Sequence, residues 1–325
     1  MSNERDFSFD FIKGILIYLV IYGHVILYQE GVEDPFHTII YTFHMPLFIF
    51  VSGYFAGSTL NGPLSNCINK VSRRFIIPGV IWCVFAYLII ELPTEEPLHY
   101  KLLHTISDVW FLFCLGYLYI VGCCIFKTKY KWALSIGLVF VGYAFFPIDI
   151  VRFIECLQLI RQWPLFVMGF AFRELINKLP PPADMKYKVI IGSLFLISTS
   201  IYILCIVLNA RNHEFRWLLS PDNYIVRALV YQTGAFVFFY VFKFLYSIIK
   251  STSVANMVIV LGQNTFGIYV MNGLLISLMW RFLPEDLLSF LPNWALAILI
   301  TVLLYVLTIF IKKRTTLSGY LLGGY

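Results

Sequence analysis

Ten runs of mostly apolar residues divide this chain, each near the ~20 residues that an α-helix needs to cross a bilayer. They fall at 11–29, 37–57, 75–91, 108–126, 132–148, 154–172, 188–209, 224–246, 262–282 and 293–311. In lipid a backbone can satisfy itself only as helices or as a closed barrel, and runs of this length select helices. The composition agrees, with 60% of the 325 residues hydrophobic and 13% charged, against about 25% charged in a soluble domain. The expected fold is all-α: a polytopic integral membrane bundle of about ten transmembrane helices. The segments between runs are too short for a separate soluble domain, so residues 1–325 are expected to form a single integral domain. The first run is full length, carries charge and lacks a small-residue cleavage site, which argues against a cleavable signal peptide.

Charge alternates between successive connecting segments. One set holds the basic clusters around Arg73, Lys129, Lys186, Lys250 and Lys313; the other holds acidic residues such as Glu33, Glu95, Asp149 and Glu285. Counting Lys13, 17 of the 24 basic residues lie with the first set, and the positive-inside rule then places both termini in the cytoplasm. The net charge of +6 follows from that topology, so no nucleic-acid partner is expected. The seven cysteines show no metal or redox spacing and read as small apolar packing residues; no metal is expected.

The first run carries Lys13 near its start and His24 deep inside. Ionisable groups are expensive within a membrane and mark function. Eleven residues make almost three helical turns, so Lys13 and His24 share a face about 16 Å apart along the axis. Asp10 lies one turn before Lys13 on the same side. A base aligned with a cation near one surface reads as a reaction site joined to an anion anchor. Imidazole, with a pKa near neutrality, can take a proton from a hydroxyl and return it. Lys13 could instead snorkel to the membrane surface.

Other residues carry possible chemistry. Lys70, Arg73 and Arg74, at i, i+3 and i+4, form one face of a helix entering the membrane. They read either as a phosphate site with forked hydrogen bonds or as a topology signal. In the second run, Pro46 frees a backbone carbonyl and Ser52-Gly53 admits a neighbouring helix. His44 on that run is either a second site histidine or a polar helix contact, and Ser52 is disfavoured as a covalent nucleophile. Arg152, Glu155, Gln158 and Gln162 trace one stripe of the sixth run, which lipid could not tolerate. Asn264 is expected to cap the ninth run, where Tyr269 and Asn272 sit one turn apart. The segment 210–223 is a polar outer loop with aromatic residues.

Taken in order, several segments resemble the acyltransferase 3 family of bacterial membrane O-acyltransferases, particularly fucose 4-O-acetylase-like members. They are Asp10-Phe-Ile-Lys13-Gly with His24, Phe43-His44-Met-Pro-Leu-Phe with Ser52-Gly53-Tyr54, and Lys70-Val-Ser-Arg73-Arg74 before Pro78. Trp110-Phe-Leu, Gly262-Gln-Asn-Thr-Phe-Gly-Ile-Tyr269 and the terminal Leu-Leu-Gly-Gly complete the pattern. The resemblance implies acetyl-CoA as cytoplasmic acyl donor and a hydroxyl of an extracytoplasmic glycan or lipid-linked sugar as acceptor, in the bacterial inner membrane among its lipids. The family's basic-then-histidine pair falls on Lys13 and His24, and its arginine motif on Arg73 and Arg74, with Lys70 beside them.

His24 is then a general base or an acyl acceptor, with Asp10 orienting Lys13. His44, Trp110, Glu155, Gln158, Tyr269 and Asn272 become candidate acceptor contacts. Two departures stand out: Lys13 replaces the arginine of many members, and Asn272 a histidine, which throws more of the chemistry onto His24. The rival reading is a secondary transporter or flippase for a sugar or lipid-linked intermediate. It would favour duplicated halves with broken helices, which the sequence does not show.

Overall fold

A computed structural model describes residues 5–31, 34–91, 97–98, 101, 105–106, 108–145, 156–182, 184–211, 224–284 and 288–323. The helices are α1 Phe7–Gln29, α2 Pro35–Tyr54, α3 Leu64–Val71, α4 Ile77–Ala86, α5 Trp110–Ile125 and α6 Lys131–Phe145. They continue as α7 Cys156–Lys178, α8 Met185–Arg211, α9 Tyr224–Ile249, α10 Ser253–Gln263, α11 Thr265–Phe282, α12 Asn293–Lys312 and α13 Thr315–Leu321. A π-helical turn, Ser72–Ile76, joins α3 to α4. Where they are described, the apolar runs fall on helices, and there is no strand among the described residues.

Among the described residues, six segments are long and apolar enough to cross a membrane: Phe7–Gln29, Pro35–Tyr54, Leu64–Ile90, Met185–Leu208, Ile225–Ile249 and Asn293–Lys312. The pair flanking Asn264 would make a seventh, while Trp110–Ile125 and Lys131–Val141 are apolar but shorter. The molecule is a multi-pass helical membrane protein. Its helix starts follow the local sequence. The Asp6 side chain accepts from the Ser8 N–H at 3.0 Å to cap α1. Asp34 does the same for His37 at 2.9 Å, with Pro35 pre-set at the first turn of α2.

The helices divide into two units interleaved along the chain, residues 1–57 with 162–263 and residues 58–161 with 264–325. In the first unit α1 lies against α10, α2 and α9, while α9 also packs on α2 and α8. Burial follows polarity rather than greasiness. The α2 span, with two histidines and three threonines or serines, is 78% buried, whereas the more apolar α8 span is 17% buried. Lipid can solvate the leucines and isoleucines of α8 but not the polar groups of α2. Phe50 anchors the core between Phe172 (centroids 5.7 Å apart) and Phe239 (5.4 Å). The expected close approach at Gly53 is found: a methyl there would overlap the Phe166 carbonyl of α7, and one on Gly169 would overlap that of Phe50. Pro46 has no N–H for the Thr42 carbonyl, and Gly234 of α9 faces that freed oxygen.

In the second unit α3 packs on α5, α4 on α11 and α13, and α12 on α11 and α13. The helix break at Asn264 differs from the expected single run from residue 262. Asn264 stands at the N-cap position of α11, but its side chain makes no capping bond. Its Oδ1 instead accepts from Lys312 Nζ at 2.7 Å. A charged donor outcompetes a backbone amide for the one carbonyl oxygen.

Candidate active site

The first unit holds Asp10, Lys13, His24 and His44. As the spacing requires, Asp10 and Lys13 meet on one face of α1, Nζ to Oδ1 at 2.7 Å. Asp10 is buried and also pairs with Arg5, so one carboxylate serves two cations. The triad carries a surplus of one positive charge. Neighbouring Asp6 pairs with Lys243 at 3.3 Å. Burial works to raise the Asp6 carboxyl, but hydrogen bonding from Ser8 at its backbone N–H and the charge of Lys243 outweigh it and hold the group below its ordinary value. The α1–α10 crossing is close here, because a methyl on Gly262 would overlap the Asp10 carbonyl and one on Gly14 that of Val258.

On the same unbroken helix, eleven residues on, His24 is half-buried and makes no hydrogen bond among the described residues. Opposite it α2 presents His37, Tyr41 and His44, at the i, i+4, i+7 spacing of one helical face. The His37 ring lies 4.0 Å from that of Tyr41, and Tyr41 meets His44 edge-on at 4.8 Å. Gly23 makes room, since a methyl there would press on the Tyr41 ring. His24, His37 and His44 are close enough for their charges to interact. His44 Nδ1 lies 2.7 Å from the Ile40 carbonyl. A carbonyl only accepts, so this nitrogen carries the hydrogen and the neutral ring keeps its lone pair on Nε2.

The Ser52-Gly53-Tyr54 motif resolves into three structural tasks. The Ser52 hydroxyl donates to the Phe48 carbonyl at 2.8 Å, Gly53 admits α7, and the Tyr54 hydroxyl receives Arg173 at 2.7 Å beneath its guanidinium.

The remaining candidates, apart from Gln162 and the loop 212–223, belong to the second unit. Lys70, Arg73 and Arg74 straddle the change from α3 to the π-turn, so they do not share a regular α-helical face. Lys70 donates to the Thr59 hydroxyl at 2.8 Å, while Arg73 and Arg74 are exposed, Arg74 beside the Phe75 ring. Pro78 has no N–H to give the Arg74 carbonyl, and Gly323, at φ +58°, sits directly against it. The adjacent Leu321 carbonyl accepts from Trp82 Nε1 at 2.9 Å. The Leu-Leu-Gly segment is thereby a brace on the arginine turn. Trp110 and Tyr269 both touch Phe111, at 5.9 Å and 5.3 Å between ring centres. Asn272 is buried with its Oδ1 unpaired. Arg152, Glu155, the loop 212–223 and the side chain of Gln158 lie outside the described residues; Gln162 is buried.

His37, Tyr41 and Arg5 were not singled out by the sequence. The heptad pair His37–His44 was the available signal for the first two. Nothing in the sequence marked Arg5 apart from an ordinary flanking cation.

The acyltransferase domain model of the acyltransferase 3 family matches residues 6–313. Among curated proteins the chain is 27% identical to Nodulation protein NolL of Mesorhizobium japonicum, covering 92% of this chain and 83% of that protein. It is 25% identical to Nodulation protein NolL of Sinorhizobium fredii, covering 90% and 82%. The match takes in α1 from its cap, the histidine face of α2, the arginine turn and α11 in a single span, and this helical membrane protein belongs to the acyltransferase 3 family.

Proposed function

We propose that this membrane acyltransferase is an O-acetyltransferase of the bacterial cytoplasmic membrane. It moves an acetyl group from cytoplasmic acetyl-CoA to a hydroxyl of an extracytoplasmic glycan, such as an O-antigen, capsule or exopolysaccharide sugar. In this reading the chain crosses the membrane ten times with both termini inside. The observation that carries it is the pairing, on one buried helix, of an ion-paired Lys13 with an unbonded His24 about three turns away.

The chemistry follows from those groups. Lys13, Arg73 and Arg74, with Lys70, supply positive charge for the phosphates of the donor. Asp10 holds the Lys13 ammonium in place, and the triad's surplus charge favours an anion. His24 then takes the proton of the acceptor hydroxyl as the oxygen attacks the thioester carbonyl. The C–O bond forms, the C–S bond breaks, and the departing thiolate receives the proton from the imidazolium. In the two-step variant a His24 nitrogen attacks the thioester carbonyl, the C–S bond breaks and the thiolate of coenzyme A leaves. The acceptor hydroxyl then attacks the acetyl-imidazole, the C–N bond breaks, and the hydroxyl proton passes to the thiolate.

The test is transfer and hydrolysis of radiolabelled acetyl-CoA by protein purified in detergent, wild type against His24→Ala. Loss of both activities in a variant that remains folded supports the assignment. Near-normal turnover removes His24 from the mechanism, and the absence of any acetyl-CoA turnover in the wild type would overturn the enzyme reading itself.

A further inference from the structure

His37 is the most unusual polar side chain in the first unit. It is 4% exposed, and both its ring nitrogens are buried without a hydrogen-bond partner among the described residues. Its backbone N–H is committed to Asp34 and its ring face to Tyr41, which leaves the two nitrogens as the unspent groups. A buried nitrogen left unpaired is costly, so two on one ring call for a partner that the described residues do not supply. The histidine and carboxylate side chains do not converge in threes as a metal-binding group among the described residues. Hydrogen bonding is what remains.

Neutral imidazole offers one donor and one acceptor. A hydroxyl group offers the same pair, and a sugar presents several. Depth along the hairpin is also informative. His37 is in the first turn of α2, nearer the α1–α2 connection than His24 or His44. At ~1.5 Å per residue, His24 lies about 8 Å in from the end of α1 and His37 about 3 Å in from the start of α2. A ligand reaching His24 from the connection end meets His37 on the way.

We propose that His37 binds the acceptor: its ring nitrogens hydrogen-bond hydroxyl groups of the sugar and present the reacting hydroxyl to His24. This rests on the acetyl-transfer reading above. Tyr41 holds the His37 ring in plane for that task, and Gly23 keeps the space for Tyr41.

The test uses membranes carrying the full-length protein and its endogenous glycan, supplied with acetyl-labelled acetyl-CoA. Label entering glycan and label released as free acetate are read separately. His37→Phe keeps the ring and its stacking but removes both nitrogens. It is expected to lower glycan labelling about tenfold or more while leaving acetate release within about twofold of wild type. His37→Gln, which keeps a donor and an acceptor, is expected to recover part of the transfer. Unchanged glycan labelling in His37→Phe overturns the proposal. So does a parallel fall in acetate release, which would place His37 on the donor side, and so does a failure of His37→Gln to exceed His37→Phe. Loss of all activity in the wild type would be a failure of the acetyl-transfer reading instead, and His24→Ala, which loses both products, marks that distinction.

Discussion

Replacing Gly323 by alanine should loosen the arginine turn without touching an arginine. Gly323 has φ +58°, and an added methyl would overlap the Arg74 carbonyl and crowd its Cα. The left-handed conformation costs an L-residue ~1–2 kcal/mol. The overlap is with backbone, which cannot swing aside as a side-chain tip does, and overpacking of this kind costs ~1–3 kcal/mol. Taking about 2 kcal/mol as the smaller sum, docking of the Leu321–Gly323 segment should weaken about 30-fold. The Trp82–Leu321 bond would go with it. Hydrogen exchange in detergent reads this directly at the Leu321 and Leu322 amides, the latter bonded to the Ser318 carbonyl at 2.9 Å. Exchange there should accelerate roughly in that proportion, and the acetyl-CoA KM should rise as Arg73 and Arg74 lose their fixed backbone. Gly323→Asn separates the two contributions, because asparagine tolerates positive φ but still brings a Cβ. It should fall between wild type and alanine. Unchanged exchange in Gly323→Ala refutes the brace, since neither the strain nor the overlap would then be felt.

Arg73→Ala and Arg74→Ala should each weaken acetyl-CoA binding more than acceptor binding, by ~1.5–3 kcal/mol for a lost charged hydrogen bond; unchanged donor affinity in both would leave the pair as a topology signal. Lys13→Met keeps the apolar stem and should raise the donor KM with a smaller effect on kcat, while Lys13→Arg retains activity. Wild-type kinetics for Lys13→Met would mean that the lysine only snorkels. Cysteine placed at Glu33 or Glu95 should react with an impermeant reagent from outside, and cysteine at Lys129 or Lys186 should not; the reverse pattern would exchange donor and acceptor sides.

Period and polarity made α1 legible from sequence. Asp10, Lys13 and His24 are related by helical geometry alone, and a helix does not alter that relation on folding. The Gly53 contact was legible for a similar reason, because a small residue within an apolar run has few uses besides close packing. The π-turn at Ser72–Ile76 was not, since its signal is a hydrogen-bond register rather than a residue pattern. The Asn264 side chain was assigned to a cap because that is the local option. Lys312, 48 residues away, supplied a stronger bond that no local rule contains. His37 was passed over because seven residues separate it from His44 and its significance lies in what it lacks. An unpaired nitrogen is a fact about surroundings, and the sequence names only the nitrogen.

Two of the proline-containing helices, those with Pro46 and Pro78, use one device. Proline at position i cannot donate to the carbonyl at i−4, and in each case a glycine from a distant segment occupies the space in front of that carbonyl: Gly234 before Thr42, Gly323 before Arg74. A larger residue would hold the partner away and leave the oxygen facing lipid or a void. In α2 the pairing lets α9 lie close to the helix that carries His37 and His44, and in the second unit it ties the chain's end to the turn that carries Arg73 and Arg74. The segments bearing the polar groups are thus fixed through their backbones. Among the described residues His24 makes no hydrogen bond and both ring nitrogens of His37 are unpaired, and Arg73 and Arg74 are exposed, whereas Lys13, Lys70 and His44 are held by Asp10, Thr59 and the Ile40 carbonyl. Glycine and proline thus carry the placement of each of these two segments within its own unit.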